Sequence, residues 1–125
     1  MKSIIKIVFA FLMLASNVLA AEVFEYNDAL VIAKDTDRKV LVYFGAEWCD
    51  YCRKMQDVLR DKKVSSAIEE GRYLLVKIDV DKDTKLKRKF SVKSIPDVMV
   101  IDKNENVLKR YKGYKDKNEF ILWLE

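Results

Sequence analysis

The only two cysteines of the chain stand in Trp48-Cys49-Asp50-Tyr51-Cys52, directly behind the apolar run Val40-Leu41-Val42-Tyr43-Phe44. A β-branched and aromatic run of this length reads as a buried strand, and Arg53 to Arg60 reads as a helix. The first cysteine therefore falls at a strand-to-helix junction, beside the helix N-terminus. One helical turn separates the two sulfurs, which can close into a small disulfide. The macrodipole and free backbone N–H groups at such a terminus stabilise a thiolate. Sulfurs placed this way can pass between dithiol and disulfide.

Three other readings compete. Zinc wants four ligands, and a chain with no histidine and no third cysteine cannot complete a Cys/His set within a monomer. A permanent staple across two intervening residues restrains the unfolded chain little. Chance pairing does not account for the strand, the tryptophan and the helix around the pair. Redox chemistry is the reading that remains, with no metal and no cofactor expected.

The first twenty residues read as an address. Lys2 and Lys6 form a positive n-region, Ile7 to Ala15 an apolar core, and Val18-Leu19-Ala20 a cleavage signal after Ala20. The core is short for a span, which needs about 20 apolar residues, and an uncleaved N-terminal anchor is the alternative. No cysteine follows it to carry a lipid. The expectation is a signal peptide over 1–20, export to a bacterial periplasm, and one domain over 21–125. Without Lys2 and Lys6, 22 basic residues face 20 acidic ones, so the net charge falls from +4 to +2. That balance gives no case for nucleic acid. The basic run Lys85-Leu86-Lys87-Arg88-Lys89 reads as the solvated face of a short helix. Export also matters for the cysteines: small exported domains often carry several disulfides, whereas this one keeps a single close-spaced pair.

Along the rest of the chain, Phe24 to Ala33 has helical spacing with Asn27 as its cap. Val64 to Glu70 is a short helix closed by Gly71. Tyr73 to Val80 is a strand buried on both faces, and Lys82 to Phe90 a helix. Pro96 opens a strand over Asp97 to Ile101, and a turn at Asp102 to Asn106 leads to another over Val107 to Tyr111. Gly113 breaks the chain before a last helix, Asp116 to Leu124. This order predicts an α/β fold with a central mixed sheet of about four strands flanked by helices.

With these elements in place, Phe44 to Met55, Lys77-Ile78-Asp79-Val80-Asp81, Phe90 to Asp97 and Gly113 resemble the corresponding segments of the thioredoxin superfamily. The chain is similar to small exported thioredoxin-like proteins and to the C-terminal domain of the membrane reductant transporter DsbD. Two positions depart from the pattern. Asp50-Tyr51 replaces the family's Gly-Pro between the cysteines, and Tyr43 replaces a buried aspartate on the preceding strand.

The resemblance implies a thiol:disulfide oxidoreductase acting on protein thiols and disulfides as a monomer. Cys49 is the attacking thiolate and Cys52 the resolving thiol, with Trp48 beside them. It also implies a cis Ile95–Pro96 bond that leaves Ile95 backbone groups able to pair with an extended substrate. Glu47 and Lys77 match charged positions near the family's site, so either could assist proton transfer, directly or through water. Asp50 and Asp97, placed near the sulfurs, would disfavour the thiolate and make the dithiol a reductant, supplied by a membrane donor of the DsbD type. An oxidase or isomerase, and a binding module whose cysteines do no chemistry, are the alternatives.

Overall fold

The computed structural model describes residues 20–125, so the expected signal segment lies, up to residue 19, outside the described residues. The elements are α1 (Tyr26–Thr36), β1 (Val40–Gly45), α2 (Asp50–Arg60), α3 (Lys62–Glu70), β2 (Leu74–Asp79), α4 (Thr84–Lys89), β3 (Asp97–Ile101), β4 (Val107–Lys112) and α5 (Lys117–Leu124). The sheet runs β2-β1-β3-β4. β1 lies parallel to β2 and antiparallel to β3, and β4 is antiparallel to β3.

The buried position of β1 follows from its sequence. Successive side chains of a strand point to opposite faces, and here both faces are apolar. Leu41 and Tyr43 join Met55, Leu59, Ile68 and Phe120 in a core under α2, α3 and α5. Val40, Val42 and Phe44 join Ala29, Ala33 and Phe90 in a second core under α1 and α4. β3 divides the same way, with Val98 and Val100 on one side and Met99 and Ile101 on the other. The edge strand β4 is partly to fully exposed and carries Lys109, Arg110 and Lys112, charges that discourage edge-to-edge pairing.

Two local expectations change. Helix α1 is capped at Glu25, without a side-chain cap bond, and Asn27 lies inside it; the packing of Tyr26 and Ala29 sets the start. Gly71 follows α3, but its φ of −76° is right-handed, and Arg72 takes the left-handed turn at φ 59°. Ala21 is buried, and Val23 bridges Leu75 in β2.

Candidate active site

β1 ends at Gly45, and the chain turns through Ala46, Glu47 and Trp48 to reach Cys49. That residue is the N-cap of α2, and its sulfur accepts the backbone N–H of Cys52 at 3.2 Å. The two cysteines form a disulfide with a Cα–Cα distance of 5.1 Å. Cys49 is 8% exposed and Cys52 wholly buried. The asymmetry follows from the helix: the N-cap keeps a small exposed edge, and one turn on, the side chain points into the core with Met55 and Leu59.

The second wall comes from the segment before β3. The Ile95–Pro96 bond is cis, and the Ile95 carbonyl oxygen lies 4.0 Å from Cys49 Sγ. The Pro96 carbonyl accepts from the Gly113 N–H at 2.8 Å, tying this loop to the end of β4. Gly113 has φ 97°, a conformation that favours glycine.

Trp48 is 69% exposed, held at the rim by a 2.8 Å hydrogen bond from its indole N–H to Asp81. Tyr51 is 60% exposed and leans on Tyr114, with ring centroids 6.4 Å apart. The disulfide therefore sits beneath an open aromatic rim.

The two aspartates expected to bear on the sulfurs are not free charges. Asp50 is ion-paired with Arg53 one turn along the helix, and the same guanidinium donates to the Glu47 carbonyl at 2.8 Å. Asp97 is wholly buried and held by both Arg110 Nε (2.9 Å) and Arg110 Nη2 (2.6 Å). That bidentate pairing raises the Arg110 pKa against the opposing effect of burial. Asp50 and Asp97 thus each stand beside an arginine that offsets the negative charge expected near Cys49.

Glu47 and Lys77 both line a cleft of about 170 Å³ with Tyr43, Gln56 and Asp79. Glu47 pairs with Lys82 at 3.6 Å, and Lys77 donates to the Gln56 side-chain oxygen at 3.3 Å. Burial, and then the charge of Arg60, lower the Lys77 pKa. Tyr43 connects this cleft to the disulfide helix, donating its hydroxyl to the Cys52 carbonyl at 3.0 Å. Burial and the charge of Asp79 push its pKa up to about 12, so the phenol is a donor throughout the physiological range. Gly45 makes room for it, since a β-carbon there would collide with the Tyr43 ring, hydroxyl first.

Sequence reasoning missed Arg53, Arg110, Gly45 and Asp81. The spacing of Asp50 and Arg53 is a readable helical pair, and a glycine ending a strand often marks close approach. Nothing local signals the other two.

A disulfide at a helix N-terminus, with one cysteine slightly exposed and the other wholly buried, has the parts for thiol–disulfide exchange. Comparison with known proteins agrees. Thioredoxin 2 of Plasmodium falciparum is 38% identical over 86 residues, covering 69% of this chain and 52% of that protein. The chain thus spans about half the length of that relative. A thioredoxin of Rickettsia bellii is 32% identical over 71% of this chain and 81% of its own. Among solved structures, a thioredoxin from Thermus thermophilus superposes with a TM-score of 0.73 at 30% identity, covering 84% of this chain and 85% of that one. A family model described as a thioredoxin-like domain matches residues 26–125. On that match the chain belongs to the thioredoxin superfamily.

Proposed function

We propose that the protein is an exported thiol:disulfide oxidoreductase that reduces protein disulfides. The observation that carries the reading is the Cys49–Cys52 disulfide capping α2, with its outer sulfur 4.0 Å from the Ile95 carbonyl. In the reduced protein, the Cys49 thiolate attacks one sulfur of a substrate disulfide. That S–S bond breaks, a Cys49–substrate disulfide forms, and the released substrate thiolate takes a proton from water. Cys52 then gives up its proton and attacks Cys49 Sγ, expelling the second substrate thiolate, which is protonated in turn. Two electrons have moved to the substrate, and Cys49–Cys52 is oxidised. Glu47 and Lys77, which line the cleft beside Tyr43, are the two candidates for assisting loss of the Cys52 proton. The exposed rim of Trp48, Tyr51 and Tyr114 suits a protein surface as substrate.

The reductive direction rests on the charges around Cys49. Strongly oxidising relatives owe their potential to a stabilised reduced form, and added cations beside the thiolate are one way to supply it. Here Arg53 is engaged by Asp50, and the support visible for Cys49 Sγ is one backbone N–H and the helix terminus. The reduction potential should therefore lie nearer the thioredoxin value of about −270 mV than the DsbA value of about −120 mV. Equilibration with a glutathione buffer, followed by alkylation of the dithiol, measures it. A value above about −150 mV, close to DsbA, would reassign the protein as an oxidase.

Roles of the two cysteines are tested directly. Cys49→Ser should abolish insulin reduction, and Cys52→Ser should accumulate mixed disulfides on Cys49. Limiting alkylation of the reduced protein should label Cys49 first; preferential labelling of Cys52 would reverse the assignment.

Export is proposed from Lys2, Lys6, the apolar Ile7–Ala15 stretch and Val18-Leu19-Ala20. Ala21, which follows the proposed cleavage bond, is buried in the core. The protein acts as a monomer fed by a membrane donor of the DsbD type. Intact-mass measurement on the periplasmic protein should give a chain starting at Ala21; a chain retaining residues 1–20 there would refute cleavage.

A further inference from the structure

On the sequence alone, the basic run around α4 is a solvated face. Folded, two of its members border a groove. Thr84, Lys87, Arg88, Ser91, Val92 and Lys93 line a depression of about 580 Å³ with three cations and no carboxylate. All three cations are exposed. Of the charges nearby, Lys85 is unpaired among the described residues, Asp81 and Asp83 keep their charge while accepting N–H groups, and two lysines are ion-paired. Lys89 pairs with Glu105 at 2.7 Å and Lys82 with Glu47, while Asp83 caps the helix by accepting the Leu86 N–H. Arg110 reaches the Ser91 carbonyl at 3.5 Å but is neutralised by Asp97. Lys87, Arg88 and Lys93 have no acidic partner within 4.0 Å among the described residues.

The C-terminal end of α4 favours cations through its dipole, which accounts for Lys87 and Arg88. It does not account for Lys93, which lies beyond the helix. Lys93 stands two residues before Ile95, whose carbonyl faces Cys49 Sγ. At roughly 3.3 Å per extended residue, Lys93 lies within about 7 Å of backbone from Ile95. A substrate strand laid along Ile95 would run its flanking residues past these cations.

We propose that this groove docks an acidic segment of the disulfide-bearing protein partner, beside the cysteine that exchanges with Cys49. The inference rests on the oxidoreductase reading above. The acidic flank raises the encounter rate and fixes which side of the substrate cysteine faces Ile95.

The test uses the pre-reduced protein and two synthetic peptides. Each carries one cysteine in disulfide linkage to mercaptoethanol, flanked by glutamates in one peptide and glutamines in the other. Hydroxyethyl disulfide serves as an uncharged small substrate. Stopped-flow oxidation at low ionic strength should be about tenfold faster with the glutamate peptide, in the range of electrostatic steering. Half-molar salt should remove most of that advantage. The variant Lys87→Gln/Arg88→Gln/Lys93→Gln should lose it while reacting unchanged with the glutamine peptide and hydroxyethyl disulfide. Equal rates on the two peptides, or an advantage that survives the triple substitution, would overturn the docking assignment and leave the oxidoreductase reading intact. Equal peptide rates with binding to phosphatidylglycerol vesicles, abolished by the triple substitution, would assign the groove to a lipid surface instead. Failure to react with any of the three disulfides would overturn both readings.

Discussion

At Tyr43 a phenol stands where the superfamily carries a buried carboxylate, and the two groups do different work. A carboxylate can accept a proton near neutrality. A phenol held at about pH 12 cannot, and its hydroxyl is committed to the Cys52 carbonyl at 3.0 Å. Tyr43 is therefore a positioning residue that steadies the first turn of α2 from below. Tyr43→Phe should cost about 1 kcal/mol, the net value of one hydrogen bond, read as a lower denaturant midpoint, while insulin reduction continues. A hundredfold fall in reduction rate would mean the hydroxyl takes part in proton transfer after all. Gly45→Ala forces its β-carbon into a ring that is 2% exposed and has nowhere to go. Overpacking of this kind costs about 1–3 kcal/mol, measurable by the same denaturation. Asp50→Asn acts through charge instead. It frees Arg53 from its carboxylate, so the guanidinium should stabilise the Cys49 thiolate and move the potential upward. Each 30 mV corresponds to about 1.4 kcal/mol for the two-electron couple. A downward shift in the glutathione equilibrium would show that the pair does not bear on Cys49.

Elements set where these residues stand, and most were legible because each carries its own signal. β1 and β3 are apolar runs of the right length, and the turn at Asp102 closes with its carboxylate accepting from Asn104 and Asn106 N–H groups at 2.9 Å. These bonds hold the Asp102 pKa below the usual carboxylate range. The starts of helices were less legible where packing, rather than a cap, decides them: at α1 the burial of Tyr26 outweighs the capping preference of Asn27. At α5 cap and packing agree. Asp116 accepts from Glu119 N–H at 2.9 Å, and Glu119 reaches back to the Asp116 N–H, forming a capping box. At the other end of the helix, the Tyr73 hydroxyl and the Lys109 ammonium donate to the Leu124 carbonyl. With Phe120 and Leu124 buried, α5 covers one core. Asp116→Ala should cost about 1 kcal/mol, a typical cap deletion, and hydrogen exchange should rise in α5 before it rises in β1. Uniform acceleration across both would mean that α5 opens only with the whole domain.

Across the whole molecule, the site divides by sequence distance. The cysteines, Trp48 and the Ile95–Pro96 step belong to short patterns and could be found by eye. The Asp50–Arg53 pair is local too, but other contacts around the site could not be found that way, because their partners come from elsewhere in the chain: Asp97 meets Arg110 across two strands, and Trp48 meets Asp81 from 33 residues away. The same tertiary origin governs how stability depends on pH. Tyr26, Tyr43, Tyr73 and Tyr111 all have raised pKa values, with burial the leading cause for each. The Tyr26 hydroxyl is further held by the Glu105 carboxylate at 2.5 Å. In the unfolded chain these phenols ionise near pH 10, whereas folded Tyr43 holds its proton to about pH 12. Between those values the folded state binds more protons than the unfolded state, so stability falls as pH rises. The contribution is fully present below pH 10 and is lost on passing through about pH 12 for Tyr43, with the other tyrosines adding in the same direction. Denaturation midpoints measured from pH 8 to 12 should thus be level at first and then drop steeply. Tyr43→Phe, though weaker at pH 8, should show a shallower alkaline drop because it has one fewer proton to lose on unfolding. A variant whose midpoint falls in parallel with the parent's would show that Tyr43 ionises in the folded protein as readily as in water.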